Sequence, residues 1–364
     1  MRTNPLTLRE LLGELALRGL VPAPAEERPL PAALSEANDL EATPWYVKAM
    51  IGVAGWIAAG FLLSFFGIAG LIDSATSMLL WGAIMAVAAL ALRRLVRTAL
   101  FWHQMAFAFS LVGQGLLIVG VGMQSEDLTL TMLFTVGLEL VLFFAYPDTF
   151  HRTLSVLAIG VALVGLLYDQ KLLDGVHALV IALGLGTVVV WQQELRLLAN
   201  RWSPYRAPLG YGLPLTLFGI TLLSLVGEID TNYWWVSAVG LALVLLYLSI
   251  LLLRELGYTG LNPMTFWVVG AILITLIPAY QTPGILAALI VLCLGRWRGN
   301  GLLMGLATLF LLFFLSAYYY NLDITLLNKS YILMGTGVVL LVVHMAFMRI
   351  QRMTAPAMVE GSES

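Results

Sequence analysis

Residues 301–330, GLLMGLATLFLLFFLSAYYYNLDITLLNKS, decide the fold. From Gly301 to Ala317 the segment carries no charge, and with the tyrosines that follow it has the length of a membrane span: about 20 residues at 1.5 Å each cover about 30 Å of hydrocarbon. Tyr318, Tyr319 and Tyr320 close it with three rings whose hydroxyls suit the level of the lipid headgroups. Asn321 and Asp323 then break the apolar run. Lys329 and Ser330 open another, and a lysine there lays its aliphatic stem along the lipid while its ammonium reaches the interface. Two readings fit these six residues from Tyr318 to Lys329. They are an interfacial anchor on the outer face, or a polar cluster in which Asp323 pairs with Lys329 at the rim of a cavity.

Composition extends that reading to the whole chain. Hydrophobic residues make up 60 % of the sequence and charged residues 11 %, against about 45–50 % and about 25 % in a soluble domain. The mean hydropathy is +0.91. The expected fold is all-α, a polytopic helical bundle in the lipid bilayer. A net charge of −2 leaves no basic stripe, so nucleic acid is excluded as a partner. The single Cys293 allows neither an internal disulfide nor a cysteine metal site.

Apolar runs place about twelve spans, near 46–71, 77–92, 99–121, 128–146, 153–168, 174–191, 208–226, 233–253, 263–279, 283–295, 301–320 and 329–348. Residues 45–349 thus form a transmembrane domain. Residues 1–44 precede it as a cytoplasmic segment with no cleavable signal peptide, and 350–364 follow as a cytoplasmic tail. Within the first segment, Thr7 and Glu10 have capping-box spacing, and Leu8, Leu11, Leu12 and Leu15 share one face of a short amphipathic helix. That leucine face packs on the protein's own loops, lies on the membrane, or docks a partner. A proline-rich linker runs from Val21 to Pro31.

The charges fix the orientation. With the N-terminus inside, the cytoplasmic loops hold ten bases, Arg93, Arg94, Arg97, Arg152, Arg196, Arg201, Arg206, Arg254, Arg296 and Arg298, while the outward loops hold Lys171 and Lys329 alone. This asymmetry is what the positive-inside rule predicts, and it sets both termini in the cytoplasm.

Within the spans, Glu139 stands out. An ionised group at such a depth costs about 2.5–3.5 kcal/mol on insertion scales unless it is paired or hydrated. Gln114 in the preceding span has a similar height and sits between Gly113 and Gly115, where a second backbone can come close. A Glu139–Gln114 hydrogen bond is therefore expected, with His103 or His344 near the inner ends as alternative partners. The pair reads as a structural clamp between helices or as part of a proton or cation relay. Ala178, Ala182 and Gly186, like Gly55 and Ala59, repeat every four residues and predict close helix contacts. Pro278 and Pro283-Gly284 interrupt two spans, and interrupted helices line the substrate route in many transporters.

Two segments carry a resemblance. Pro44-Trp45-Tyr46-Val47-Lys48 running into Gly55-Trp56-Ile57-Ala58-Ala59, and the Tyr-Tyr-Tyr-x-Leu-x-x-Thr-Leu-Leu-x-Lys-Ser pattern at 318–330, resemble an uncharacterised family of multi-span bacterial inner-membrane proteins known as a domain of unknown function. The resemblance implies an inner-membrane location and this architecture over nearly the whole chain. It brings no catalytic residue with it.

No Walker loop, His-x-x-x-His or Cys-x-x-Cys ligand set, or Ser/His/Asp arrangement is present. The sequence therefore predicts no enzyme, no cofactor and no metal site. Two functions remain: transport of a small solute, ion or lipid, and a non-catalytic scaffold or sensor that docks another membrane protein or a second copy of the chain.

Overall fold

A computed structural model describes residues 45–95, 100–225, 233–258 and 263–321, together with Leu327, Ser330, Tyr331, Met334 and Leu341 as helical residues. The amphipathic leucine helix, the proline-rich linker, Asp323, Lys329, His344, the C-terminal tail and all but those isolated residues of the 329–348 span lie outside the described residues.

The described chain is helical throughout, with no strand. In order the helices are α1 (Trp45–Ile68), α2 (Ala75–Leu95), α3 (Leu100–Ser125), α4 (Leu128–Ala145), α5 (Thr149–Asp169), α6 (Gly175–Gln192), the short α7 (Glu194–Leu198), α8 (Ser203–Thr221), α9 (Trp234–Glu255), α10 (Pro263–Ala279), α11 (Gly284–Arg298) and α12 (Gly301–Asn321). Eight of them are long and apolar enough to cross a membrane, namely α2 to α6, α8, α9 and α12. The apolar stretches Val53–Ile68 and Pro263–Ala279 are shorter. Eleven of the twelve expected spans thus coincide with helices.

The chain divides into two compact units at residues 124 and 125. In the first, α2 and α3 approach backbone to backbone: a Cβ on Gly82 would meet the Gly113 carbonyl at 2.9 Å, and one on Gly113 would meet Ala86 N at 2.7 Å. Phe66 of α1 sets its ring edge-on to Trp81 of α2, with centroids 5.1 Å apart.

In the second unit, α4 and α5 form a tight antiparallel hairpin, α5 and α6 both pack on α8, and α11 lies at the centre against α6, α8, α9, α10 and α12. Aspartates start the hairpin's helices. Asp127 accepts from the Leu130 amide at the head of α4, and Asp148 from the His151 amide at the head of α5. Such caps satisfy amides that have no partner within the helix. Apart from its last turn α11 is buried almost all round, from Gly284 and Ile285 to Leu294 and Gly295, and ends where Gly299 adopts a left-handed φ of 64°. Asn300 turns the chain and caps α12 through the Leu303 amide at 3.0 Å.

One contact and one helix boundary differ from what the sequence predicts. Ala178 and Ala182 of α6 are exposed, while Gly186 of the same stripe meets α8, a Cβ there lying 3.5 Å from Leu213. A closer approach forms at Gly184, where a Cβ would meet Leu241 of α9 at 2.7 Å. The helix expected from residue 208 begins earlier, at Ser203. Pro204 occupies its first turn, where a missing amide costs nothing.

Candidate functional site

The α4–α5 hairpin carries a line of buried polar side chains. Thr131, Thr135 and Glu139 recur every four residues, so they stack on one face of α4, and all three are buried. The Thr131 hydroxyl donates to the Asp127 carbonyl and the Thr135 hydroxyl to the Thr131 carbonyl, each at 2.8 Å. From Asp127 to Glu139 the stripe climbs about 18 Å, more than half the thickness of the hydrocarbon.

On α5, Ser155 and His151 are also four residues apart and share a face. Ser155 lies beside the Glu139 carboxyl, and its hydroxyl is enclosed without reaching hydrogen-bond geometry. Glu139 is 2 % exposed, Ser155 1 % and His151 1 %. The hairpin's symmetry explains the meeting. Pro147 lies at the turn, and in an antiparallel pair, residues equally far from the turn face each other. Glu139 precedes Pro147 by as many residues as Ser155 follows it.

The end of this line nearest the α4–α5 turn is built of aromatic and basic groups. The His151 ring stacks on Tyr146 with centroids 4.3 Å apart. Next to it Arg152 is buried, donating from Nε to the Phe143 carbonyl at 2.8 Å and from Nη1 to the Pro204 carbonyl at 3.3 Å, with its guanidinium 4.6 Å from the centre of the Tyr205 ring. At the opposite end, Thr129 donates to the Asp169 carboxylate and accepts from the Gln170 side chain.

Arg152 also repairs a backbone defect. Pro208 and Pro214 both lie inside α8, and each removes the amide that would bond the carbonyl four residues earlier. Those carbonyls belong to Pro204 and Gly210. Arg152 of α5 takes the first, and the Trp191 indole of α6 takes the second at 3.0 Å. Nearby, Glu194 accepts from Arg206, with Arg298 Nε at 3.7 Å from its other oxygen, and Arg298 Nη2 bonds the Gln192 carbonyl at 3.2 Å. This end of the unit is a polar belt joining α6, α7, α8 and α11.

The structure sorts the residues expected from sequence. Glu139 is buried, and a side chain beside it within its unit is Ser155, which no feature of the sequence singles out. Gln114 and His103 belong to α3 in the first unit. Gln114 is buried with its Oε1 lacking a hydrogen-bond partner, and His103 is half-buried. Gly113 admits a second backbone as expected, whereas Gly115 has open space beside it. At the end of α12, Tyr318 packs on the core, Tyr319 and Tyr320 meet edge to face with centroids 5.7 Å apart, and Asn321 is the last helical residue. The interrupted α10–α11 turn is closed, leaving no room for a Cβ on Gly284 beside the Phe314 ring. Among the described residues no group of three or more His, Cys, Asp or Glu side chains is placed to hold a metal.

Residues 44–350 match the family described as a domain of unknown function, DUF4401. The chain belongs to the DUF4401 family. The match covers every helix described above, including the Glu139–Ser155–His151 line, so this line sits within the part of the protein that the family defines. No curated protein and no solved structure matches the chain.

Proposed function

We propose that this DUF4401 protein is an inner-membrane transport protein rather than an enzyme, and that its α4–α5 hairpin moves protons. The observation that carries this reading is the buried alignment of Glu139, Ser155 and His151 within one hairpin. Glutamate and histidine both exchange protons, and ionisable groups inside a membrane are retained where they serve a pathway, proton relays included. Ser155 stands beside Glu139 with a rotatable hydroxyl that is both donor and acceptor, and His151 follows one turn, about 6 Å, further along α5. Thr131 and Thr135 continue the stripe toward Asp127 at the outer end. The proton would drive movement of a small solute, ion or lipid.

The same proposal includes twelve spans with both termini in the cytoplasm of a bacterial cell. Its support is the ten-to-two bias of bases between alternate loops and the coincidence of eleven expected spans with helices.

The test uses the full chain reconstituted in liposomes that enclose a pH-sensitive dye. A valinomycin-clamped potassium gradient supplies the driving voltage. Wild-type protein is expected to acidify the lumen well above the rate of empty vesicles, and Glu139→Gln to lower the added flux about tenfold or more, as loss of a relay carboxyl requires. Wild-type flux no faster than empty vesicles, or Glu139→Gln flux equal to wild type, overturns the proposal.

A further inference from the structure

A cleft opens on the second unit between α4, α5, α6 and α8, with a volume of about 320 Å³, within the range of ligand sites, about 300–1,000 Å³. Its wall is apolar and includes Leu140, Ile159, Leu163 and Leu179, while Trp202 and Tyr205 form a rim at the head of α8. The rim is basic as well as aromatic. Arg201 is exposed, with its guanidinium 5.6 Å from the centre of the Trp202 ring, and it makes no ion pair among the described residues. Glu194, the carboxylate of this loop, is engaged by Arg206 and Arg298, so the exposed Arg196 and Arg201 remain as uncompensated cations. Beside them α7 turns Leu195 and Leu198 outward, exposed by 75 % and 47 %. Leucines, arginines and a tryptophan exposed together match the boundary between acyl chains and headgroups.

From this geometry we infer that the cleft holds one acyl chain of an anionic glycerophospholipid whose phosphate lies against Arg201. The apolar wall suits a hydrocarbon chain and offers nothing to a polar solute. Trp202 and Tyr205 stand at the depth of the glycerol linkage, as belt aromatics do. A cation without a carboxylate partner favours a lipid of net negative charge over a zwitterionic one. This site is distinct from the proton line, and its occupancy is read without any flux measurement.

The experiment is native mass spectrometry of the purified full chain. The protein is stripped of lipid by extended detergent washing and then offered equal amounts of phosphatidylglycerol and phosphatidylethanolamine. Wild type is expected to keep one phosphatidylglycerol in excess. Arg201→Gln should reduce that retention about fivefold, the worth of one arginine near an anionic headgroup, and leave phosphatidylethanolamine unchanged. Leu140→Trp, at the exposed mouth, should reduce both lipids, and Glu139→Gln neither. Equal retention of the two lipids by wild type, or an Arg201→Gln protein that keeps phosphatidylglycerol as wild type does, overturns the inference.

Discussion

Gly160 of α5 faces Thr216 of α8 so closely that a single added carbon has nowhere to go. A Cβ at Gly160 would collide with Thr216 Cγ2, while the next nearest atom, Thr216 Cβ, is at an ordinary 3.5 Å. Nonbonded carbons settle at about 3.5–4.0 Å, so Gly160→Ala would force the two helices apart or rotate the threonine. Rotation is resisted, because Thr216 Oγ1 donates to the Gly212 carbonyl at 2.8 Å and holds the methyl toward Gly160. Overpacking of this kind costs about 1–3 kcal/mol. Thr216→Ser removes the offending methyl and keeps the hydroxyl, and losing that methyl alone costs about 0.8 kcal/mol. In the double variant the alanine fills the space the methyl left, so the two costs should not add. The expected coupling is about 1–2 kcal/mol in the favourable direction, and a double-mutant cycle isolates it. The assay is thermal unfolding in detergent followed by the monodisperse fraction on size exclusion. A domain of this size shifts by about 2–4 °C per kcal/mol, so Gly160→Ala should fall by several degrees and Thr216→Ser should recover most of it. Additive losses, or a Gly160→Ala protein as stable as wild type, would refute the close approach.

Other consequences can be measured directly. His151→Gln and Ser155→Ala should each lower the proton flux that Glu139→Gln lowers, and combining either with Glu139→Gln should produce no further loss if all three serve one line; fluxes that fall independently in liposomes would contradict this. Trp191→Phe leaves the Gly210 carbonyl without its indole donor beside Pro214 and should destabilise the protein by about 1–3 kcal/mol, as for other orphaned buried groups; denaturation curves give the value. The topology is checked by replacing Cys293, the one cysteine, with alanine and placing single cysteines at Lys171 and Arg196. A membrane-impermeant maleimide should label position 171 in intact cells and position 196 only after the membrane is opened.

The positions of the helices were legible in the sequence because hydrocarbon imposes a length on each apolar run, and the bases mark the turns. Helix partners were far less legible. Glu139 announces itself as a carboxyl in an apolar span, and Gln114 stands out through its height and flanking glycines. Ser155 lacks any such mark. Its placement follows from reflection about Pro147 in a tight hairpin, a rule that operates only once two helices are known to be adjacent. The prolines of α8 mislead for a related reason. Pro208 reads as a helix boundary, yet the helix runs through it because Arg152 and Trp191, from other helices, take the carbonyls that the prolines release. That compensation is tertiary and leaves no local trace. In α6 the small-residue stripe reaches another helix at Gly186, but the closer approach is at Gly184 on another face.

The central helix α11 bears on how the protein is made. Gly284–Arg298 comprises 15 residues, about 22 Å of helix against about 30 Å of hydrocarbon, and its last turn holds Arg296 and Arg298. A helix so short is a poor substrate for insertion by itself, since lipid meets it along every face and the arginines are drawn into the bilayer. Once α9, α10 and α12 surround it, neighbouring side chains replace lipid and bilayer thickness ceases to matter. If α11 crosses the bilayer, it is expected to enter together with α12 rather than alone. The most buried helix of this unit would then depend for its insertion on residues translated after it.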